Sequence, residues 1–133
     1  MISFFDEYRK LGLPKGQHAL FGSALMSIHN LRPIKDLDII VKEDLWHELE
    51  HRYGDHIYQD PLQIKIGNIK IFKDWSNMTG KIDEMIDNAE MLHGMPFVRF
   101  EYVIEWKRFM KRSKDMKDIA MIMDICRIRR SRI

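Results

Sequence analysis

A single cysteine, Cys126, rules out an internal disulfide, and it falls on a helical apolar stripe where a buried, inert thiol is expected. Redox chemistry is therefore not expected. No apolar run approaches the ~20 residues needed to cross a bilayer, so a membrane-spanning helix is excluded from the reading. The short apolar start, Met1 to Phe5, is followed at once by Asp6 and Glu7, which interrupts anything resembling the apolar region of a signal peptide. A cytoplasmic protein is expected. There is little net charge either: 22 Lys/Arg against 20 Asp/Glu leave +2. That small total hides an uneven distribution. Residues 105 to 133 hold ten Lys/Arg against four Asp/Glu, an excess that would suit an anionic partner but also describes a solvated basic helix ending in Arg127, Arg129, Arg130 and Arg132. Charge alone does not identify nucleic acid. No aromatic-basic reading motif accompanies the segment.

What is present is enough for one compact domain, residues 1 to 133, with 45% hydrophobic residues to build a core. Phe4, Phe5, Tyr8 and Leu11 recur at helical spacing, which predicts an opening helix over 2–11 before Gly12 and Pro14 break the pattern. A strand is expected at about 17–21, and a second helix at 23–31, starting at Ser23 and stopped by Pro33. Residues 36–42 alternate as a strand should, so Leu37, Ile39 and Val41 share one face and Asp36 with Asp38 the other. Further expectations are a helix at 43–53, strands near 56–59, 62–66 and 69–73 with Gly67-Asn68 as a hairpin turn, and a helix at 81–88. His93-Gly94 predicts a turn before the apolar run Met95-Pro96-Phe97-Val98. The C-terminus reads as helical, with Val103, Trp106 and Met110 as one stripe, Ile119, Ile122, Met123 and Cys126 as another, and Ser113 as the cap of the last helix.

The chemistry concentrates in two short segments. Two carboxylates two residues apart on a strand project from the same face, near enough to share one or two Mg²⁺ ions, and such an ion normally also binds substrate phosphates. Gly22 allows close backbone approach, and the amides at a helix start beside the Ser23 hydroxyl can grip an anion. Either piece alone is common. Their order, apolar-Gly22-Ser23 followed about a dozen residues later by Asp36-Leu37-Asp38, resembles the signature of the DNA polymerase β-like nucleotidyltransferase superfamily. The segments Leu31-Arg32-Pro33-Ile34-Lys35-Asp36, Gly94-Met95-Pro96-Phe97, Trp106-Lys107 and Lys114-Asp115-Met116-Lys117-Asp118-Ile119 are similar to its small standalone members.

The resemblance implies an α/β (α+β) fold, a mixed sheet flanked by helices with a helical C-terminus, and Mg²⁺-dependent (or Mn²⁺-dependent) transfer of a nucleoside monophosphate from an NTP to an acceptor, whether protein, RNA or small molecule. Asp36 and Asp38 would be the catalytic metal ligands, and Gly22 and Ser23 would hold phosphates. Arg32, Lys35, Lys107 and Lys114 are weaker phosphate contacts, equally readable as exposed or paired cations. A homo-oligomer or a protein partner is compatible with the reading. The chain departs from the pattern at one position: where a third carboxylate is common on a later strand, Gly67-Asn68-Ile69-Lys70-Ile71-Phe72 places Lys70. An ammonium there would neutralise the carboxylate pair, weaken metal affinity and leave a degenerate nucleotide-binding or partner-binding relative as the alternative. Asp74 and Asp60 are more remote substitutes for the missing acid.

His47-Glu48-Leu49-Glu50-His51 also matches H-E-x-x-H, the zinc-protease pattern. A helical wheel puts Leu45, Trp46, Leu49 and Tyr53 on the apolar face and both histidines on the opposite one, toward solvent, so a zinc site is not expected. His18, His29, His56 and His93 show no ligand spacing.

Overall fold

The computed structural model describes residues 3–21, 24, 26 and 35–131, with the side chains of residues 5–21, 24, 26 and 35–127. Its centre is a seven-stranded mixed sheet: β1 (His18–Phe21), β2 (Leu37–Val41), β3 (Ile57–Tyr58), β4 (Gln63–Ile66), β5 (Ile69–Phe72), β6 (Glu90–Leu92) and β7 (Met95–Phe97), in the order β3-β4-β5-β2-β1-β7-β6. Among the described residues the helices are α1 (Ser3–Leu11), α2 (Glu43–Arg52), α3 (Ile82–Asp87), α4 (Phe100–Met110) and α5 (Ser113–Ser131). The mixed α/β architecture and its helical C-terminus match the expected fold class. No helix of the described residues is long and apolar enough to cross a membrane.

The two central strands explain the pattern. β2 is antiparallel to β1 and parallel to β5, and Leu37, Ile39 and Val41 are all fully buried. A parallel neighbour requires a long crossover, here the segment that carries α2, β3 and β4. α2 forms as predicted: its apolar Leu45, Trp46 and Leu49 are buried. His47 is 60% exposed and contacts Glu43 at 3.1 Å, and His51 is exposed too, so neither imidazole faces an enclosed site. Gly67, at φ +59, and Asn68 make the β4–β5 turn, where the left-handed conformation favours glycine.

On the face of Leu20, Ile39 and Val41 the sheet meets α1. Tyr8 and His18 are both buried, and His18 Nδ1 lies 2.8 Å from the Pro14 carbonyl oxygen, an acceptor only. Nδ1 therefore carries the proton, and the Tyr8 hydroxyl donates to Nε2 at 2.7 Å. Burial holds His18 below its usual value and pushes the Tyr8 hydroxyl up to about 12, both consistent with this neutral pair.

The helix expected over 81–88 forms as α3, preceded by a 3₁₀ turn (Ser76–Lys81). Two expectations in α5 need correction. Ser113 is the first helical residue of α5 and not its cap: the Met116 N–H bonds to the Arg112 carbonyl, so Arg112 holds the cap position, and the Asp115 carboxylate accepts the Arg112 N–H at 3.0 Å. Met123, expected on the buried stripe, is 46% exposed, and Cys126 is only half-buried.

Candidate functional site

Asp38 sits at the middle of the sheet's other face. Strand pairing places it directly beside Phe21 on β1 and Lys70 on β5, and alternation puts Phe72 and, across the antiparallel β4, Gln63 on the same face. The end of β1 therefore lies against the strand that carries Asp38. Gly22, Ser23 and Arg32 themselves lie outside the described residues; Ala24 and Met26 are helical and buried.

Lys70 reaches the carboxylate pair. Its Nζ is 3.2 Å from Asp36 Oδ2, with both side chains about one-third exposed. Burial pushes the Asp38 carboxyl up to about 7, with Lys70 pulling it down and Asp36 pushing it further up. The arrangement fits a divalent ion poorly. An ammonium occupies the position from which a cation would neutralise Asp36, and among the described residues no group of three or more His, Cys, Asp or Glu converges to hold a metal. Neither remote acid replaces the third carboxylate. Asp74 is exposed in a separate depression with Val41, Glu43 and Asp83, and Asp60 is exposed in the turn before β4.

Beside Asp38 and Lys70 opens a cleft of about 320 Å³ lined also by Gln63, Phe72, Trp75, Trp106, Lys107, Arg112 and Lys114. Of the weaker sequence candidates, Lys107 and Lys114 thus join Asp38, whereas Lys35 is exposed at the bend before β2 and does not line the cleft. The wall is aromatic. Phe21, Trp75, Trp106 and Phe72 pack together, with centroid separations of 4.6 Å for Phe21–Trp75, 4.9 Å for Phe72–Trp75 and 5.2 Å for Trp75–Trp106. Helical spacing puts Trp106 on a packing stripe, and no local pattern marks Trp75, Phe72, Gln63 or Arg112 as site residues. Only the strand alternation linking Phe72 to Lys70 could have signalled one of them.

The cations Lys107, Arg112 and Lys114 come from the last turn of α4, the corner after it and the start of α5. Lys111 closes α4 in the left-handed conformation, φ +57, and its N–H returns to the Lys107 carbonyl at 3.0 Å. That corner directs Lys107 and Arg112 onto Trp106, at 5.1 and 5.6 Å from its ring. Lys107 is 1% exposed, and its Nζ donates to Asp118 Oδ2 at 2.9 Å with Asp115 at 3.7 Å. Arg112 grips Asp115 with two side-chain nitrogens, at 2.6 and 2.9 Å. Burial alone would raise Asp115, but the Arg112 hydrogen bonds and the two cations outweigh it and hold the carboxyl below its ordinary value. Two cations of the basic C-terminal segment are therefore committed to ion pairs, Lys107 in a buried one and Arg112 in a part-buried one, which reduces the excess available to a polyanion. No protein-family model, curated protein or solved structure matches the chain.

Proposed function

We propose that this is a nucleotidyltransferase-like protein that binds an NTP without a resident metal ion. One observation carries the reading: Lys70 stands beside Asp38 in the sheet and pairs with Asp36, supplying internally the positive charge that a divalent ion would otherwise bring. Gly22 and Ser23 would hold phosphates next to the end of β1, with Arg32 and Lys35 as outer contacts. The base or sugar would rest against Trp106 in the cleft, where Lys114 offers a further cation. The protein would act in the cytoplasm.

A second reading, metal-dependent transfer of NMP from NTP to an acceptor, is favoured by the juxtaposition of Asp36, Asp38 and the end of β1. It requires Lys70 to withdraw so that Mg²⁺ or Mn²⁺ can join the two carboxylates. Titration of ATP, GTP, CTP and UTP followed by tryptophan fluorescence, with EDTA and with Mg²⁺, separates the two. Binding that persists in EDTA and weakens at least about tenfold in Lys70→Ala supports the metal-free reading. Binding confined to Mg²⁺, with labelled nucleotide transferred to an acceptor, would establish the transferase instead. Absence of binding to every NTP under both conditions rejects both.

A further inference from the structure

α5 is apolar on two sides. Toward the domain it buries Ile119 and Ile122 together with Asp115 and Asp118. Away from the domain, Met116 is 55% exposed and Met123 46%, with exposed Ala120 between them and exposed Arg127 one turn beyond. Positions 116, 120, 123 and 127 follow the four-three-four spacing that keeps residues on one helical stripe. Two large thioether side chains flanking an alanine form a ridge with a notch, and nothing else in the described chain covers it.

We infer that this stripe is the contact between two copies of the chain, which pair through α5 in antiparallel orientation about a twofold axis between Ala120 and Met123. The orientation follows from charge. Lys117 and Asp124 are exposed, lie one heptad apart and occupy the same flank of the stripe. Parallel pairing about a twofold axis along the helices would put this flank of the two copies on opposite sides of the contact, where Lys117 and Asp124 form no pair across it. Antiparallel pairing instead sets each Lys117 beside Asp124 of the second copy, twice, so the surface is complementary to itself. The same axis places Met123 of each copy in the notch at Ala120 of the other, and lays Met116 along the aliphatic stem of Arg127. Asp124, which holds Arg127 of its own helix at 3.3 Å, then lies between two cations.

The contact is small. Between positions 116 and 127 the helix advances roughly 17 Å, so each copy buries well below the ~800 Å² of a standard interface, and dissociation in the micromolar range or weaker is expected. This inference is independent of the nucleotide reading. Sedimentation equilibrium of the full chain, from a few micromolar to about 1 mM, should show a monomer–dimer equilibrium. Ala120→Glu should abolish it with an unchanged far-UV spectrum. Lys117→Glu should weaken association roughly tenfold, and Lys117→Glu combined with Asp124→Lys should restore it to within about threefold of the wild type. A wild-type chain that stays monomeric at the highest concentration overturns the inference. So does dimerisation that survives Ala120→Glu, or a double charge exchange that recovers nothing.

Discussion

Asp38→Asn should remove a pH-dependent cost of folding. The Asp38 carboxyl titrates near 7 in the folded chain against an ordinary 3.8. Below about pH 4 it is protonated in both folded and unfolded chains and contributes no difference. As pH rises, the unfolded carboxyl ionises first while the buried one keeps its proton, so the unfolded state gains stability and the fold loses it. Above pH 7 both forms are ionised and the loss is constant. At about 1.4 kcal/mol per unit, the interval from 3.8 to about 7 gives an upper bound of about 4 kcal/mol. Asp38 is only partly buried, and solvent and Lys70 can adjust around its charge, which brings the expected cost to about 1–3 kcal/mol. Urea denaturation should therefore find Asp38→Asn more stable than the wild type by that amount at pH 8, with the advantage shrinking toward zero near pH 4. Lys70→Met, which removes the group pulling Asp38 down, should move the midpoint of the wild-type decline to higher pH. Parallel stability profiles for wild type and Asp38→Asn across this range would refute the burial argument.

Other perturbations reach separate parts of the molecule. Lys70→Glu should create Mg²⁺ affinity measurable by calorimetry by replacing the cation that pairs with Asp36; equal heats for variant and wild type would show that Lys70 does not block a metal. Lys107→Met should cost about 3–5 kcal/mol in urea denaturation by leaving the buried Asp118 without its cation, and a second change, Asp118→Asn, should recover part of that loss. If Lys107→Met costs under about 1 kcal/mol, the α4–α5 corner does not depend on the pair. His18→Gln should act on pH dependence in the opposite sense to Asp38: a neutral imidazole held below its usual value resists protonation, so the wild type loses stability as pH falls below about 6.5, and the variant should lack that decline. Identical slopes on the acid side would count against an imidazole held neutral by burial.

Much of the fold was legible because it depends on short-range pattern. The alternation of residues 36–42 predicts β2, Gly67-Asn68 predicts the β4–β5 turn, and the wheel of α2 correctly turns His47 and His51 to solvent. Local pattern also places Lys70 on β5. Where it failed, a competing interaction intervened: Asp115 reaches back to the Arg112 amide and moves the start of α5, and the outer face of α5 leaves Met123 uncovered.

The sequence by itself determined which residues carry charge, that Asp38 lies on a strand with Asp36 just before it, and that Lys70 lies on another. Those properties follow from residue identity and from periods of two and 3.6. Only the tertiary structure decided that Lys70 contacts Asp36, that Trp75 and Trp106 wall the cleft, and that Lys107 and Arg112 are bound to Asp115 and Asp118. Each depends on register between strands distant in the chain or on the angle at which α4 and α5 return to the sheet. No local period encodes these relations, because packing of the whole core sets them.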